Sequence, residues 1–315
     1  MVRRAGIDHR WSVLPVGPDN GSPVAAGGFY ADDPHPGTGE RMAIYADAAP
    51  TLAITAIDRL STMLSLDGVT HLVVASCTGF VAPGIDQIIA RRVGLSPHVE
   101  RLLVGFMGCY AAVAALRSAR HIVRSDPSAR VLVIAVELST LHLQPAVGIE
   151  PLLAMLQFGD GAAAALVTAD PAGLAIDAPF ATTLPASDDL IQWAITDRGF
   201  AMHLSGEVPG RIGTALADAG FVATLTGGRD IASIDGWAVH AGGRSILDSV
   251  ENALALPPAA LAASRAVLVE NGNMSSATLM FVLARILAGP PVEQGVALAF
   301  GPGLAAEGFG FRTVP

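Results

Sequence analysis

Cysteine is scarce: Cys77 and Cys109 are the only two in 315 residues. Two thiols cannot build a disulfide framework, and no His or Cys pair has zinc-ligand spacing. A reducing, cytoplasmic setting is the expectation that follows. Basic charge is also scarce. Lys and Arg number 19 against 28 Asp and Glu, a formal net charge of −9, which excludes the broad basic footprint of a nucleic-acid binder. A local basic patch for a phosphorylated ligand stays compatible with it. Long apolar runs are missing too. The stretch between Arg101 and Arg117 is interrupted by glycines and falls short of the ~20 residues a membrane span needs. The N-terminal "MVRRAGIDHRW" has no apolar core of a signal peptide. There is no G-x-S-x-G, no H-E-x-x-H, no P-loop and no low-complexity segment.

What the chain has is apolar bulk: 51% hydrophobic residues with 15% charged. That ratio calls for thick sandwiched layers or a face hidden against another subunit. Residues 1 to about 42, rich in Gly, Pro and Asp, read as loop with short strands. A helical pattern spans Ala43 to Leu66. Apolar β-type runs "VTHLVVAS" and "RLLVGF" follow, then a small-residue helix "YAAVAALRSARHIV", the buried-type strand "ARVLVIAVE", and a turn plus strand in "FGDGAAAALVTA". The second half repeats the scheme. "DGWAVHA" is a strand ending at His240, "GRSILDSVENAL" an amphipathic helix closed by "LPP", "SRAVLVENGN" a strand and turn, "SSATLMFVLARIL" a helix with an N-terminal serine, and "QGVALAFGPG" a strand and turn. Strands alternating with helices in both halves predict a layered α/β protein with a duplicated core.

Cys109 stands where a strand gives way, through Gly108, to a helix. A free cysteine is more often a small buried hydrophobe, but a helix N-terminus favours the thiolate. His240 ends an apolar strand and precedes "AGG", where glycines admit a close ligand; a core histidine bonded to backbone is the plain alternative. "NGNMSS" (Asn271 to Ser276) serves as a turn and helix cap, yet its two asparagines exceed what capping needs, and an amide there suits an oxyanion or carbonyl. A Cys, a His and an Asn at element ends make one chemical set. A thiolate attacks a thioester, an imidazolium pairs with it, and His and Asn N–H groups hold charge on a carbonyl oxygen. Asp160 in "FGDG" has no second carboxylate near it in sequence and reads as a turn residue. "GPGLAA" at Gly301 has too little chain after it to complete a dinucleotide site.

The blocks "GFMGCYAAVAALRSAR", "FGDGAAAALV", "WAVHAGGRSILDSVENAL", "ENGNMSSATLMFVLARIL" and "AFGPGL" occur in that order. Together they resemble the chalcone synthase-type, or type III, polyketide synthases, from "GIDHRW" to the end of the chain. The resemblance implies a thiolase-like αβαβα sandwich of two halves, residues 1–170 carrying the cysteine and 171–315 carrying the histidine and asparagine. It implies a homodimer, no bound cofactor, and repeated decarboxylative condensation of malonyl-CoA onto an acyl-CoA starter. Cys109 matches the nucleophile that carries the chain. His240 and Asn273 match the pair that polarises the malonyl thioester and stabilises the enolate.

Phe158 matches a gatekeeper phenylalanine between CoA tunnel and cavity, and Ser275 a cavity serine. Met202 falls on a second gatekeeper phenylalanine, Cys77 and His142 on cavity threonines, and Trp193 on a cavity-floor glycine. A tryptophan there removes volume and favours fewer extensions, unless its ring turns away. Arg4 falls on the last of several CoA-binding basic positions, with Arg3 beside it. The family's first strand and helix have no counterpart in the chain. The resulting expectation is a polyketide synthase making a pyrone, resorcinol or similar ring. A single-condensation ketoacyl-CoA synthase and a non-catalytic acyl-CoA-binding homologue are the alternatives.

Overall fold

The computed structural model describes residues 5–15, 22–32, 35–145, 152 and 155–314. In chain order the elements are α1 (Thr38–Ser61), β1 (His71–Ser76), α2 (Ile85–Arg92), β2 (Glu100–Gly105), α3 (Ala111–Ser125), β3 (Val131–Leu138), β4 (Asp160–Val167), β5 (Gly173–Thr183), β6 (Ile191–Thr196) and β7 (Gly199–Leu204). Then come α4 (Val208–Leu216), α5 (Ala219–Thr226), β8 (Gly236–Val239), α6 (Arg244–Ala253), α7 (Ala262–Asn271), α8 (Ala277–Leu287), β9 (Gly295–Gly301) and β10 (Ala305–Val314).

Two four-stranded sheets and one hairpin result, in the orders β2-β1-β3-β4, β5-β10-β9-β8 and β6-β7. In the first sheet β2, β1 and β3 are parallel and β4 returns antiparallel. In the second, β8 and β9 are parallel, β10 returns antiparallel, and β5 pairs antiparallel with β10. The path β1, β3, β4 is thus repeated by β8, β9, β10, which is the duplication the alternating pattern predicted.

Strand alternation explains why β1 and β3 look uniformly apolar. Leu72, Val74, Leu132 and Ile134 face an outer layer with Tyr45, Ala49 and Ala53 of α1 and Ile85 and Ile89 of α2. Val73, Ala75, Val133 and Ala135 face the opposite way, into a central layer holding α3 and α8. On the far side of that layer lie Ala297, Ala299, Phe309 and Phe311 of the second sheet. Val239, Val296 and Leu298 cover the second sheet's other face against α4 and α6. Both faces of β1, β3, β8 and β9 are therefore dry, and five layers stack as α, β, α, β, α. The small residues of α3, such as Ala112, Ala115 and Ala119, let that helix lie close between two sheets.

Three local expectations change. The first helix runs Thr38–Ser61, not Ala43–Leu66; Glu40 accepts the Gly37 N–H at 2.8 Å and starts it earlier. No strand occurs before it among the described residues. "SRAVLVEN" is helix α7, not a strand: Ser264, Val267 and Leu268 are buried at spacings of three and four, and Ala262 and Ala263 favour the helix. Asn273 thus follows a helix end, not a strand end.

Candidate active site

Cys109 sits in a 3-10 turn, Gly108–Tyr110, between β2 and α3. Gly108 has φ of +72°, and a Cβ there would meet Pro302 Cδ at 2.5 Å. Glycine is therefore required both by backbone conformation and by the close approach of the β9–β10 turn. His240 follows β8 directly, buried, with its backbone N–H donating to Leu298 O at 2.8 Å. Asn273 follows α7 and is tied across the seam: its N–H donates to Gln157 O at 2.8 Å, and its carbonyl accepts from Gly159 N at 3.0 Å. Phe158 lies between those two anchors, so the cavity's phenylalanine and asparagine are fixed by one backbone bridge.

These residues converge. One cavity is lined by Cys109, His240, Asn273, Phe158, Met202, Cys77, Trp193 and Ser275, all singled out in the sequence, together with Ile191, Leu204 and Phe300. The Asn273 side chain is held at both ends. Its Nδ2 donates to Gly242 O at 3.1 Å, and its Oδ1 accepts from Ser275 N at 2.8 Å and Thr278 Oγ1 at 3.5 Å. An amide held this way keeps one N–H direction on Gly242 and leaves the second for the cavity. Cys109 Sγ lies 4.0 Å from Ser275 Oγ, to which it donates. Neither ring nitrogen of His240 has a partner among the described residues. An unsatisfied buried imidazole lining the same cavity as a thiol is a group kept in readiness for a ligand.

Electrostatics corrects one expectation. The helix start was read as favouring a thiolate, but burial pushes the Cys109 thiol up to about 12, with hydrogen bonding to the Ser275 and Asn273 side chains opposing the rise and the Glu137 charge adding to it. Burial lowers His240 to about 3. The resting pair is thiol and neutral imidazole, because desolvation outweighs the dipole of a short turn.

One candidate falls elsewhere. His142 is not a cavity wall but lies behind one. Its Nε2–H donates to Thr78 O at 2.7 Å, its Nδ1 accepts the Phe200 N–H at 3.0 Å, and its ring stacks on Phe200 with centroids 4.2 Å apart. Burial holds it neutral, at about 4. Both nitrogens are used by backbone, so neither is offered to a ligand. Arg4 lies outside the described residues. Asp160 behaves as a turn residue: its carboxylate accepts from Val13 N, Thr140 N and Thr140 Oγ1 at 2.7 to 2.8 Å.

Glu137 was missed. It is the penultimate residue of β3, fully buried, and accepts from Cys77 N and Thr78 Oγ1 at 2.9 Å each and from Ser276 Oγ. Burial raises it to about 7 against those bonds. The signal was present in "VIAVELS", a lone carboxylate in an otherwise apolar strand.

Chemically, the cavity is lined by a nucleophile, a base and an amide N–H donor, the set needed for acyl transfer through a thioester. The family models described as "Chalcone and stilbene synthases" match the N-terminal domain at residues 35–171 and the C-terminal domain at 176–315. The chain belongs to the chalcone and stilbene synthase family. It is a type III polyketide synthase, an acyltransferase of the Claisen-condensing kind.

The "Alpha-pyrone synthesis polyketide synthase-like Pks18" of Mycobacterium tuberculosis is 33% identical over 288 residues, 87% of this chain and 73% of that one. "Bisdemethoxycurcumin synthase" of Oryza sativa subsp. japonica is 35% identical, covering 97% of this chain and 79% of its own. Among solved structures, the type III polyketide synthase domain of "Steely1" from Dictyostelium matches with a TM-score of 0.90 at 26% identity, over 100% of this chain and 88% of that one. "PKS-I" of the brown alga Ectocarpus siliculosus matches with 0.86 at 30%, over 99% and 87%. The polyketide synthase fold thus carries the thiolase-like layering read from the sequence. No helix among the described residues is long and apolar enough to cross a membrane.

Proposed function

We propose that this synthase loads an acyl group from an acyl-CoA starter onto Cys109 and extends it with malonyl-CoA. The reading is carried by one observation: Cys109, His240 and Asn273, from distant parts of the chain, line a single cavity. The neutral resting pair sets the order of events. Cys109 transfers its proton to His240 as its sulfur attacks the starter thioester, and CoA leaves as the thiol. His240 and the second Asn273 N–H, the one not given to Gly242 O, then hold the malonyl thioester carbonyl. Loss of CO2 places negative charge on that oxygen, where two donors stabilise it. The enolate carbon attacks the Cys109 thioester. Repetition and ring closure give a pyrone or resorcinol-type product, with no cofactor beyond the CoA thioesters.

The working form is a homodimer in the cytoplasm, its halves dividing near residue 170. Its support is β2, whose outer edge has no strand partner among the described residues. Leu102 and Leu103 on it, and Phe80 nearby, are 43%, 42% and 46% exposed. Two such edges pairing antiparallel about a twofold axis would satisfy the backbone and cover the leucines.

Mass spectrometry of reactions with a panel of acyl-CoAs and labelled malonyl-CoA tests the reading. Labelled polyketides are expected from the native chain and none from Cys109→Ala. Acyl-CoA binding without condensation would identify a non-catalytic homologue instead.

A further inference from the structure

Two asparagines flank Gly272, and the reaction uses only Asn273. Asn271, the last residue of α7, is not among the residues that line the cavity. Its side chain turns to the N-terminal segment instead. Its Nδ2 donates to Val267 O at 3.3 Å, and its Oδ1 accepts the indole N–H of Trp11 at 3.1 Å. The same N–H also reaches Glu270 O at 3.3 Å. Trp11 is 59% exposed, so burial does not account for its place; the shared hydrogen bond does.

Residues 8–13 grip both sides of the backbone bridge that carries Asn273. On one side is the end of α7, whose last carbonyls have no partner within the helix. Asp8 N and His9 N donate to Val269 O at 2.8 and 3.2 Å, and Trp11 takes Glu270 O. On the other side are residues 155–160. Arg10 Nη1 donates to Met155 O at 3.1 Å, and Asp160 N donates to Trp11 O at 2.8 Å. Val13 N donates to the Asp160 carboxylate at 2.8 Å. Between the two sides run the hydrogen bonds of Asn273 with Gln157 O and Gly159 N. The segment lies close upon this bridge: a Cβ on Gly272, where φ is +68°, would meet Gln157 O at 2.8 Å and Arg10 Cγ at 3.0 Å.

We propose that residues 8–13 are a clamp that positions Asn273 for malonyl-CoA decarboxylation, with the Trp11–Asn271 hydrogen bond as its closing contact. The inference rests on the synthase reading and adds two positioning residues to it. In decarboxylation the carbon–carbon bond to CO2 breaks, and its electron pair passes into an enolate whose oxygen faces His240 and Asn273. A displaced amide holds that oxygen less well, and the loss falls on the transition state. Cys109 is carried by a separate turn, between β2 and α3. Opening the clamp therefore slows decarboxylation and spares the loading of the starter.

The test compares the native full-length chain with Trp11→Phe, Asn271→Leu, the double variant and Asn271→Asp. Release of labelled CO2 from malonyl-CoA gives kcat and KM for decarboxylation. Trapped acyl-enzyme from acetyl-, hexanoyl- and p-coumaroyl-CoA gives the rate of loading on Cys109. Trp11→Phe keeps a ring but loses the N–H. It is expected to lower kcat for decarboxylation about fivefold, with KM and the loading rate within about twofold of native. Asn271→Leu is expected to act the same way. The double variant should lose about as much as Trp11→Phe alone, because both changes break one hydrogen bond. Asn271→Asp keeps an oxygen for the indole and is expected to recover most of the Asn271→Leu loss.

Decarboxylation within about twofold of native in Trp11→Phe overturns the proposal. So does an equal fall in decarboxylation and loading, the mark of a merely structural loss. So does a double variant whose losses multiply to about 25-fold. Should Trp11→Phe lack a native melting transition, Asn271→Leu set against Asn271→Asp decides the matter, and equal decarboxylation in those two overturns the clamp. A native chain that neither decarboxylates malonyl-CoA nor loads any starter overturns both the inference and the synthase reading; a native chain that does both, with variants that match it, overturns the inference alone.

Discussion

The two sheets share a strand path but differ at their edges. In the second sheet β5 closes the outer edge of β10. In the first, the equivalent edge of β4 has no strand beside it among the described residues, and Ala162 to Val167 are only partly buried. At the other end the roles reverse: β2 extends the first sheet beyond β1, while among the described residues no strand extends the second beyond β8. The core of a duplicated fold tolerates little variation, because α3 and α8 must fit between both sheets. Its edges tolerate much. The site lies where the halves meet, so each contributes a different chemical part. The first half supplies the nucleophile on a turn into α3. The second supplies the base and the amide donor after β8 and α7.

That division predicts separable losses, and these are the largest effects expected. Cys109→Ala should lower condensation on the order of 10³-fold or more while malonyl-CoA decarboxylation persists. His240→Ala and Asn273→Ala should lower decarboxylation on a similar scale while starter acyl transfer to Cys109 persists for Asn273→Ala. Labelled CO2 release and trapped acyl-enzyme measure the two separately. Equal loss of both in every variant would show that the halves do not divide the work.

A smaller effect separates the returning strands. A Cβ on Gly308 in β10 would meet Ala297 O at 2.0 Å and Phe180 Cζ at 2.3 Å, a backbone and a ring that cannot retreat. On Gly161 in β4 its three nearest atoms would all belong to the Met274 side chain, Sδ at 2.5 Å, Cγ at 2.9 Å and Cβ at 3.2 Å, a thioether that can change rotamer where a backbone cannot. Gly308→Ala should therefore cost about 3 kcal/mol and Gly161→Ala about 1 kcal/mol in denaturant unfolding. Equal costs would mean that β4 is as tightly enclosed as β10.

The same contrast between core and edge explains what the residues revealed beforehand. The buried strand β3 and the Cys109, His240 and Asn273 set were legible, because a dry strand needs an apolar run and a nucleophile needs a turn next to a glycine. α7 was not, since "SRAVLVEN" is short and its unbroken apolar run Ala266 to Val269 reads like a buried strand until the burial at spacings of three and four is seen. His142 was assigned to the cavity because its neighbours lie there; only the fold shows that both its nitrogens are spent on Thr78 O and Phe200 N. Trp193 was legible as a volume change but not as a fixed one, since its hydrogen bond to Cys77 O spans 116 residues.

His142 also sharpens the comparison through pH. It reaches from the first half to Phe200 on the hairpin of the second. Burial is the main cause that lowers it to about 4, with Arg41 adding to the fall and its bond to Thr78 opposing it. A histidine depressed in the folded state gives stability that is present above its unfolded value and is lost as pH falls toward the folded one. The window is therefore between about 6.5 and about 4. At pH 5 the unfolded ring is protonated and the folded one is not, a loss of about 2 kcal/mol relative to pH 7.5. His240 is lowered in the same direction, and Glu137 and Asp160 are raised in the opposite one. All three remain in His142→Gln, so they cancel when the two proteins are compared. Unfolding in urea should show the native chain losing about 2 kcal/mol more than His142→Gln between pH 7.5 and pH 5. Parallel losses would mean that the His142 ring takes a proton in the folded state, and with it that the link between hairpin and first half opens in mild acid.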